Sequence, residues 1–347
     1  MKKLGYAVLG LGIGMAHCEG AALSENADLV AVCDLDRERL AKVHALYPET
    51  TLYEDFEELL RDDRVDIISI CLPSAMHADF AVRAMRAGKH VLVEKPIDIT
   101  PERAALIEAA RLETGMTCGI VHQNRFNFNM TAIKQAVEEG KLGRILLGTF
   151  AVKWYREQKY YDRGGWRGTW EMDGGGSLMN QAVHTVDLMQ WLMGEVESVT
   201  STMNIYNHNI KTEDMTASLI TFKNGATATF VSTTCAYPGI STEIDLYGTE
   251  GSIEADADLL KTWKMRDDED EEEEEEMLAR FGKGNRYAAE QNPGVLYGHR
   301  HVVEDIILAV RDGRDPEVMP ADAIRAVRIV DAVYRSARAG GEKILLD

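Results

Sequence analysis

Short apolar runs alternate with longer stretches of mixed polarity through the first third of the chain. The apolar runs predict β-strands at residues 5–9, 29–33, 67–72, 91–94 and 117–121. The stretches between them predict helices at residues 15–23, 37–45, 56–60, 78–87 and 101–114. Thr100 suits the N-cap of the last helix, Pro101 its first position and Gly115 its C-terminal cap. Strands and helices in alternation predict a parallel, doubly wound sheet with right-handed crossovers.

The pattern changes after residue 124, where strand-like runs predominate. Strands are predicted at residues 145–154, 196–205, 216–222, 226–234, 242–247 and 251–255, and helices at residues 130–139, 178–193, 302–310 and 321–339. Turns at residues 223–225 and 248–251 suit antiparallel hairpins. The expected fold class is α/β, with a doubly wound parallel sheet in residues 1–124 and an α+β domain with a large, mostly antiparallel open sheet in residues 125–347. The C-terminal helix can pack back on the first domain.

The charge of the chain limits its partners. The formal net charge is −19, which argues against nucleic acid as a partner. Ten of the negative charges form one uninterrupted block, residues 267–276, which we expect to be a solvated, mobile loop. A metal-binding or partner-binding role for this block is the alternative, although its spacing is unlike that of a calcium loop.

The cysteines and apolar segments indicate a compartment. The five cysteines show no CxxC pair or zinc-like spacing, and Cys33 and Cys71 lie in apolar runs, as small core residues do. A reducing compartment is therefore favoured over a disulfide framework. No apolar stretch is long enough to span a bilayer, and the N-terminus runs into a strand without a signal-peptide core. We expect a cytoplasmic protein with no membrane partner.

A glycine-rich turn joins the first predicted strand to the first predicted helix. Gly10 would make the tight turn, and Gly12 would let the backbone approach a dinucleotide pyrophosphate at the helix N-terminus. The third glycine of the usual spacing would fall at Met15, and Gly14 comes one position early. We predict that Gly10, Gly12, Ile13 and Gly14 bind a dinucleotide, with a plain strand-to-helix turn as the alternative.

Asp34 ends the second predicted strand, 22 residues after Gly12. A carboxylate there accepts hydrogen bonds from the adenosine ribose hydroxyls and repels a 2′-phosphate, so NAD is favoured over NADP. Arg37 and Arg39 weaken this inference, because a nearby arginine can accommodate the phosphate. The alternative role for Asp34 is the N-cap of the following helix.

Lys95 follows an apolar stretch, residues 90–93, that predicts a buried strand. An isolated ammonium at the end of such a strand is unfavourable unless it has a partner or a function. In a parallel sheet it would lie at the edge that binds ligands. A lysine beside a bound nicotinamide can handle the proton of a substrate alcohol, so Lys95 is a candidate catalytic residue.

A second polar group follows the three glycines at residues 174–176. If a helix starts near residue 177, then Asn180, His184 and Asp187 share one face. The glycines would let this helix end approach a ligand closely. A lone helical histidine is more often a packed or surface residue than a catalyst, but the two polar neighbours favour a functional role for His184.

These motifs together resemble those of the Gfo/Idh/MocA oxidoreductases over nearly the whole chain. They are the Glu-Lys-Pro sequence of residues 94–96, the glycine turn that ends at His17, and the glycines that precede His184 and Asp187. The resemblance implies an N-terminal Rossmann domain and a C-terminal domain with a large open sheet. It also implies NAD(P)-dependent dehydrogenase or reductase activity on sugars, inositols and related polyols, with Lys95 and His184 in the catalytic site.

Further site residues are expected from the resemblance and from their positions. Many family members carry an aspartate where this chain has Asn180; an amide cannot take up a proton, so Asn180 is expected to bind a substrate hydroxyl. Arg125, which follows the predicted strand at residues 117–121 at the junction of the two domains, is a weaker candidate. Other substrate contacts are expected from Asp187, Tyr155, Arg167 and His299. Cofactor contacts are expected from Arg37, Pro73, His77, Glu94, Lys95, Gln123, Trp166 and Arg167, with ordinary packing as the alternative for residues outside the motifs.

The predicted function is that of an NAD-dependent oxidoreductase acting on a secondary alcohol of a sugar, sugar derivative or cyclitol. His184 or Lys95 would accept the hydroxyl proton, and the other would hydrogen-bond the developing oxygen charge. No metal is expected. The partners would be a small carbohydrate or polyol and further copies of the chain, in a homodimer or homotetramer formed through the open sheet.

Two alternatives remain open at this point. In one, NAD is retained permanently and glycosidic bonds are hydrolysed through transient oxidation, as some members of the family do. In the other, the chain is a non-catalytic, NAD(H)-responsive binding protein that regulates a partner. The presence of both Lys95 and His184 counts against the second alternative, because a protein without chemistry has no need of both.

Overall fold

The chain divides into two compact units. The computed structural model describes residues 3–256, 259–282 and 295–346, and gives no side-chain description for residues 295–297. The first unit comprises residues 1–123 and 294–324, and the second comprises residues 124–293 and 325–347.

The first unit is built on a six-stranded parallel sheet. Its strands are β1 (Leu4–Leu9), β2 (Ala27–Cys33), β3 (Thr51–Tyr53), β4 (Ile67–Ile70), β5 (His90–Val93) and β6 (Cys118–Ile120), in the order β3-β2-β1-β4-β5-β6. Every neighbouring pair is parallel. The strand order reverses direction between β1 and β4, and the carboxyl ends of strands at such a point form the ligand crevice of doubly wound sheets. This confirms the predicted Rossmann architecture.

The connecting helices in this part of the chain are α1 (Gly14–Ala22), α2 (Arg37–Leu46), α3 (Phe56–Leu60), α4 (His77–Arg86) and α5 (Pro101–Thr114). The predicted ends of α5 are confirmed. The Thr100 side chain accepts a hydrogen bond from the Arg103 N–H at 3.3 Å, and Gly115 ends the helix in the left-handed region with φ 69°.

The second unit is built on an eight-stranded sheet. Its strands are β7 (Ile145–Lys153), β8 (Val196–Asn204), β9 (Met215–Phe222), β10 (Thr227–Thr233), β11 (Ser241–Gly248), β12 (Gly251–Asp256), β13 (Leu259–Met265) and β14 (Ile344–Leu345), in the order β13-β12-β11-β7-β10-β9-β8-β14. Only the pair β7 and β10 is parallel among these neighbours. The predicted hairpins β9–β10 and β11–β12 are confirmed.

One face of the second sheet is buried and the other is not. Its helical elements are α6 (Phe128–Glu138), α7 (Gln158–Asp162), a π-helical turn (Ser177–Ala182), α8 (Val183–Met193) and α9 (Glu272–Phe281). On the buried face Phe150 pairs with Phe230 and Ile244 in the strand register. On the opposite face Leu147 is 41% and Leu219 is 50% exposed. The sheet is therefore open on one side, as predicted.

The last two helices are α10 (Val295–Asp312) and α11 (Pro320–Arg338). α10 packs within the first unit, because a Cβ on Gly20 would lie 3.1 Å from Val303 and one on Gly119 would lie 3.3 Å from Ile306. This differs from the predicted boundary, which gave all residues after 124 to the second domain. An amphipathic stripe shows that a helix is buried on one face, but not which core it joins. None of the helices in the described ranges has the length and apolar character needed to cross a membrane.

The prediction of a loop over residues 267–276 is wrong for residues 272–276, which are helical, whereas residues 267–271 lie outside helices and strands. Residues 272–281 of this region form α9, and the Asp268 carboxylate accepts the N–H groups of Glu273 and Glu274 at its start. Glu273 bonds the Lys141 ammonium at 2.6 Å and the Trp263 indole at 3.0 Å. Acidic residues in a first helical turn interact favourably with the helix dipole, and these partners offset their mutual repulsion.

Candidate active site

The glycine turn after β1 is shaped by two close contacts. Gly10 has φ +88°, and a Cβ there would lie 2.5 Å from the Cys71 carbonyl oxygen, so only glycine fits. A Cβ on Gly14 would lie 2.7 Å from Cγ1 of Val8. Gly14 therefore allows the close packing of helix on strand that the third glycine of the usual spacing allows, one position before Met15.

Gly12 differs from these glycines because the space beside it is open. A Cβ there would meet only Nη1 of Arg39, at 3.8 Å. The helix α1 begins at Gly14, and its N-cap residue Ile13 makes no side-chain hydrogen bond to the helix. A helix start without a side-chain cap, next to backbone that a ligand can approach, fits the pyrophosphate of a dinucleotide.

Asp34 organises the backbone beside this turn. Its Oδ2 accepts the Leu11 N–H at 2.6 Å and its Oδ1 accepts the Asp36 N–H at 2.8 Å. Each carboxylate oxygen has two lone pairs, so both retain capacity for ribose hydroxyls. The N-cap alternative for Asp34 is wrong, because Asp36 caps α2 by accepting the N–H groups of Glu38 and Arg39.

The two arginines near Asp34 point to different partners. Nη1 of Arg39 lies 3.7 Å from Oδ2 of Asp34. The Arg37 side chain is exposed and pairs with Glu54 at 3.0 Å. Arg39, rather than the predicted cofactor residue Arg37, is therefore the arginine beside the carboxylate that would meet the ribose.

A buried hydrogen-bond chain ends at the carboxylate of Glu94. Its Oε1 lies 3.0 Å from Nε2 of His17 and 3.1 Å from Nε2 of His299. Nδ1 of His17 lies 2.8 Å from the Ser69 hydroxyl, which also bonds the Tyr6 hydroxyl. Burial lowers the pKa of His17, with Glu94 opposing the shift, so the ring is neutral near pH 7. A neutral ring in this setting donates to Glu94 and accepts from Ser69.

Glu94 fixes the backbone of the predicted catalytic lysine. Burial raises the pKa of Glu94, but hydrogen bonds from His17 and His299 outweigh burial and hold the pKa well below its usual range. The ionised carboxylate accepts the Lys95 N–H on Oε2 at 3.0 Å. The half-buried Lys95 side chain thus starts from a backbone position that a buried charge defines.

His299 lies in α10 and belongs to the same hydrogen-bond chain. It is 2% exposed and contacts Glu94, a contact that differs from the substrate contact predicted for it from its sequence position. Gly298, its neighbour, allows close approach of Gln123, whose Cβ would lie 3.0 Å from an added Cβ. The structure therefore brings the predicted residues Glu94 and His299 together and places Gln123 next to Gly298.

The loops after β4 and β5 are joined by His77. Its Nδ1 lies 2.7 Å from the Pro96 carbonyl oxygen and its Nε2 lies 2.8 Å from that of Leu72. Pro73 precedes a 3₁₀ turn in the first of these loops. Because β4 and β5 are adjacent parallel strands, Pro73 and Lys95 lie at the same edge of the sheet.

In the second unit, the glycines before His184 make room for protein groups. A Cβ on Gly176 would overlap the Glu213 carbonyl oxygen, and one on Gly175 would overlap the Tyr334 hydroxyl. The Glu213 carboxylate accepts the N–H groups of Gly176, Ser177 and Leu178 at 3.1, 2.7 and 3.1 Å. This helix end is therefore closed by an internal carboxyl group, which differs from the prediction that the glycines let the helix end approach a ligand.

Glu213 is buried with partners that are all uncharged. The Tyr334 hydroxyl donates to it at 2.6 Å and the Ser177 hydroxyl at 3.0 Å. Burial raises the pKa of Glu213, with the Tyr334 and backbone hydrogen bonds opposing the shift. The same burial, together with Glu213, holds the pKa of Tyr334 well above its usual value.

The helix that carries His184 starts with a π turn. The predicted shared face assumed a regular α-helix from residue 177, but Ser177–Ala182 are π-helical and α8 begins at Val183. A π turn has more residues per turn, so it changes the direction of Asn180 relative to His184. Asn180 donates to Asp173, and the Gln181 amide donates to Asn180 at 2.7 Å.

Asp187 has a buried cationic partner. Nε and Nη2 of Arg125 each lie 2.7 Å from a different Asp187 oxygen, which is the bidentate geometry of a strong pair. Both side chains are buried, and the guanidinium also lies over the Trp191 ring at 5.4 Å. The predicted substrate residue Asp187 and the weaker candidate Arg125 thus bind each other.

The aromatic loop before the glycines contains the other predicted residues. Arg167 lies over the Trp166 ring at 4.8 Å and over the Tyr160 ring at 5.0 Å. The Tyr155 ring makes an edge contact with Tyr237 at 5.2 Å. The sequence reasoning missed Tyr160 and its partner Arg156, although both lie in a stretch rich in aromatic and arginine residues.

Two groups of side chains in the described residues have the donor atoms to hold a metal ion. They are His17, Glu94 and His299 in the first unit, and His208, Asp214 and Cys235 in the second, and in each group the donor atoms lie within 4.8 Å of one another. In both groups these atoms already hydrogen-bond each other. The expectation of no metal stays a prediction.

Two protein-family models match the chain, one in its N-terminal part and one in its C-terminal part. The family model described as "Oxidoreductase family, NAD-binding Rossmann fold" matches residues 4–122, and the model described as "GFO/IDH/MocA C-terminal domain" matches residues 130–254. The first match covers the glycine turn, Asp34 and Lys95, and the second covers Asn180 and His184. The first domain is thus an NAD-binding Rossmann domain.

Relatives and solved structures agree with these matches. The WlbA dehydrogenase from Bordetella pertussis, solved in complex with NADH and UDP-GlcNAcA, is 30% identical with a TM-score of 0.91, and the match covers 100% of this chain and 98% of that one. Levoglucosan dehydrogenase from Pseudarthrobacter phenanthrenivorans is 26% identical over 82% of this chain and 80% of its own length. The scyllo-inositol 2-dehydrogenase (NADP(+)) IolW from Bacillus subtilis is 23% identical over 95% and 93%. The chain belongs to the Gfo/Idh/MocA family of oxidoreductases.

Proposed function

We propose that the chain oxidises a secondary alcohol of a sugar, sugar derivative or cyclitol to the corresponding ketone, or catalyses the reverse reduction, with NAD as the hydride carrier. The chain is an NAD-binding oxidoreductase of the sugar and cyclitol dehydrogenase type. The observation that carries the finer proposal is the position of Lys95 at the ligand-binding edge of the same sheet as the open glycine turn, with its backbone fixed by ionised Glu94.

The proton chemistry of this proposal belongs to Lys95 and His184. Bound NAD supplies the hydride acceptor. Lys95 or His184 takes the proton of the substrate hydroxyl, and the other donates a hydrogen bond to the same oxygen as charge develops there. Asn180 binds a neighbouring hydroxyl, because its amide is held by hydrogen bonds with Asp173 and Gln181 and cannot take up a proton.

The preference for NAD over NADP rests on Asp34. Its carboxylate is fixed by the Leu11 and Asp36 N–H groups and would repel a 2′-phosphate. Arg39 weakens this preference because its guanidinium lies 3.7 Å from the same carboxylate. We therefore expect NAD to bind more tightly than NADP by a modest factor, which isothermal titration of the two cofactors measures.

The proposed assembly is a homodimer or homotetramer formed through the open face of the second sheet. Support comes from the half-exposed Leu147 and Leu219 on that face. The proposed location is the cytoplasm, in line with five cysteines that are all free thiols. Light scattering of the purified protein gives the number of copies, and Leu219→Glu should shift it to the monomer.

The test of the activity is the absorbance of NADH with purified protein, NAD and a panel of neutral sugars, sugar acids, nucleotide sugars and inositols. The proposal expects NADH formation with members of one of these classes. Release of free sugar from an aryl glycoside without net NADH would favour the NAD-retaining hydrolase instead. Tight NAD binding with no turnover of any panel member would favour a regulatory binding protein.

A further inference from the structure

Two partly buried arginines of the second unit differ from the other buried or partly buried arginines in their lack of a carboxylate partner among the described residues. Among the described residues, the arginines below the exposed class are Arg103, Arg111, Arg125, Arg156 and Arg167. The first three pair with Asp98, Glu108 and Asp187, at 2.8, 2.8 and 2.7 Å. Arg156 and Arg167 form no ion pair with any carboxylate in the part of the chain that the structure describes. We call these two residues the arginine pair.

Both guanidinium groups of the arginine pair contact one tyrosine ring. The guanidinium carbon of Arg156 lies 5.4 Å from the centre of the Tyr160 ring, and that of Arg167 lies 5.0 Å from it. Trp154 and Trp166 contact the same guanidiniums at 5.0 and 4.8 Å. Ring contacts fix the positions of the two cations without neutralising them.

Most of the N–H groups of Arg167 have no acceptor within the described protein. A guanidinium has five N–H donors. Arg167 uses one of them, on the Arg163 carbonyl oxygen at 3.3 Å, and its Nε is buried without a hydrogen-bond partner. Arg156 uses three, two on the Gln181 amide oxygen and one on the Tyr155 carbonyl oxygen. The pair therefore retains charge and donors for an external acceptor.

The arginine pair is connected to the residues that precede His184. The Gln181 amide donates to the Tyr160 hydroxyl at 2.7 Å, and that hydroxyl lies 3.4 Å from the Asn180 side-chain oxygen. The same Gln181 accepts from Arg156 at 2.7 Å. A ligand group held by the arginine pair would thus lie one hydrogen-bonded residue away from Asn180, the predicted substrate contact.

We propose that Arg156 and Arg167 form a subsite for an anionic oxygen group, a carboxylate or a phosphate, carried by the sugar substrate. In a chain with a net charge of −19, acidic side chains are abundant, yet none neutralises this pair among the described residues. Planar guanidiniums match carboxylate and phosphate oxygens in bidentate geometry. The substrate class is therefore an acidic or phosphorylated sugar rather than a neutral one, a conclusion that rests on the proposed function.

The test compares the affinities of matched sugars for the NADH-loaded full chain by isothermal titration. The probes are D-glucose, D-glucuronate, D-glucose 6-phosphate and UDP-glucuronate. We expect at least one anionic probe to bind at least ten times more tightly than glucose. Arg167→Gln should weaken that binding by about 10- to 100-fold, the loss typical of a hydrogen bond to a charged group, and Arg167→Lys should recover only part of it.

The matched control is Arg163→Gln, an exposed arginine four residues away whose carbonyl oxygen is retained in the variant. It should change the Kd of the anionic probe by less than twofold and should bind NADH as the unmodified chain does. The sugar titrations of every variant are made at saturating NADH, because Arg167 is also an expected cofactor contact. The carboxylate and phosphate probes separate the two possible sources of the anion. Equal binding of glucose and the anionic sugars, no binding of any anionic probe, or equal losses in Arg167→Gln and Arg163→Gln would each overturn the subsite. None of these readouts needs turnover, so they are independent of the NADH-formation test.

Discussion

Each unit of this protein has a glycine-rich segment that leads into a helix, and the two segments are completed in opposite ways. At Gly10–Gly14 the helix start has no side-chain cap from its N-cap residue and the space beside Gly12 is open. At residues 174–176 the Glu213 carboxylate occupies the helix start and accepts three backbone N–H groups. A helix N-terminus favours a hydrogen-bond acceptor or an anion at both places. At the first we propose that the cofactor pyrophosphate fills this role, and at the second the Glu213 carboxyl group of the protein fills it.

Gly176→Ala should have the largest effect on this comparison. The new Cβ would overlap the Glu213 carbonyl oxygen and lie 2.9 Å from its Oε2, so the turn and the capping carboxylate cannot both keep their positions. We expect a loss of about 3 kcal/mol in the free energy of unfolding of the second unit. All five tryptophans lie in that unit, so urea unfolding followed by tryptophan fluorescence measures it. A loss below about 0.5 kcal/mol, the range of a neutral surface change, would contradict the closed arrangement.

Gly12→Val should weaken cofactor binding at the glycine turn of residues 10–14 without destabilising the fold. A Cβ at this position would meet only Nη1 of Arg39, at 3.8 Å, so folding should be little affected, but the valine side chain would occupy the space that the pyrophosphate needs. We expect NAD affinity to fall by about 100-fold, equivalent to about 3 kcal/mol, with the free energy of unfolding nearly unchanged. Isothermal titration with NAD and urea unfolding of the same sample check both halves of the prediction. Full NAD affinity in this variant would place the cofactor elsewhere.

Glu213→Gln should lower the free energy of unfolding of the second unit by less than Gly176→Ala does. The amide has one acceptor oxygen instead of two, so a backbone N–H at the helix start would face an NH₂ group. We expect a loss of about 2 kcal/mol in the free energy of unfolding, the typical cost of a buried hydrogen-bonding group left without its partner. In a protein that carries both Glu213→Gln and Gly176→Ala, the losses in the free energy of unfolding should not add, because the two changes remove the same interaction.

The pH dependence of stability should have opposite signs for the two buried carboxylates. The pKa of Glu213 is raised by burial, so its contribution to stability is present below the usual glutamate pKa and is lost as pH rises through the folded-state value. Despite burial, His17 and His299 lower the pKa of Glu94, so its contribution is present above the usual glutamate pKa and is lost as pH falls toward the lower folded-state value. Urea unfolding at a series of pH values gives the slope of the free energy of unfolding against pH. Glu213→Gln should remove a negative contribution to this slope, and Glu94→Gln should remove a positive one. A change of slope with the same sign in both variants would contradict the opposite pKa shifts of the two carboxyl groups.

The alternating pattern of the sequence predicted most elements because it reports directly on burial. The bounds of α3 and α5 match the prediction in full, and all strands with long apolar runs are present. The missed strands are β3, with three residues, β14, with two, and β13, in which two lysines and a threonine interrupt the apolar residues beside the acidic block. Short or mixed strands depend on their neighbours in the sheet, and the sequence does not show those neighbours.

The site was predicted less completely because several of its contacts join residues that are far apart in the chain. Glycines mark a close approach, but nothing near residue 176 indicates that the approaching group is Glu213, 37 positions later. His299 reaches Glu94 from 205 positions away, through a helix whose unit the periodicity could not assign. The motif residues themselves, Gly10, Asp34 and Lys95, were placed correctly at one sheet edge because they follow parallel strands.

The most direct test of the central claim is the turnover and NAD affinity of Lys95→Met. The substitution removes the ammonium and keeps the length of the side chain, while Glu94 can still accept the backbone N–H at this position. The account predicts that kcat with the best sugar of the panel falls by at least about 100-fold, as expected for loss of acid–base catalysis, with the Kd of NAD unchanged within about twofold. Unchanged kcat would contradict the role of Lys95, and a loss of NAD binding equal to the loss of kcat would show that the residue serves the cofactor rather than the reaction.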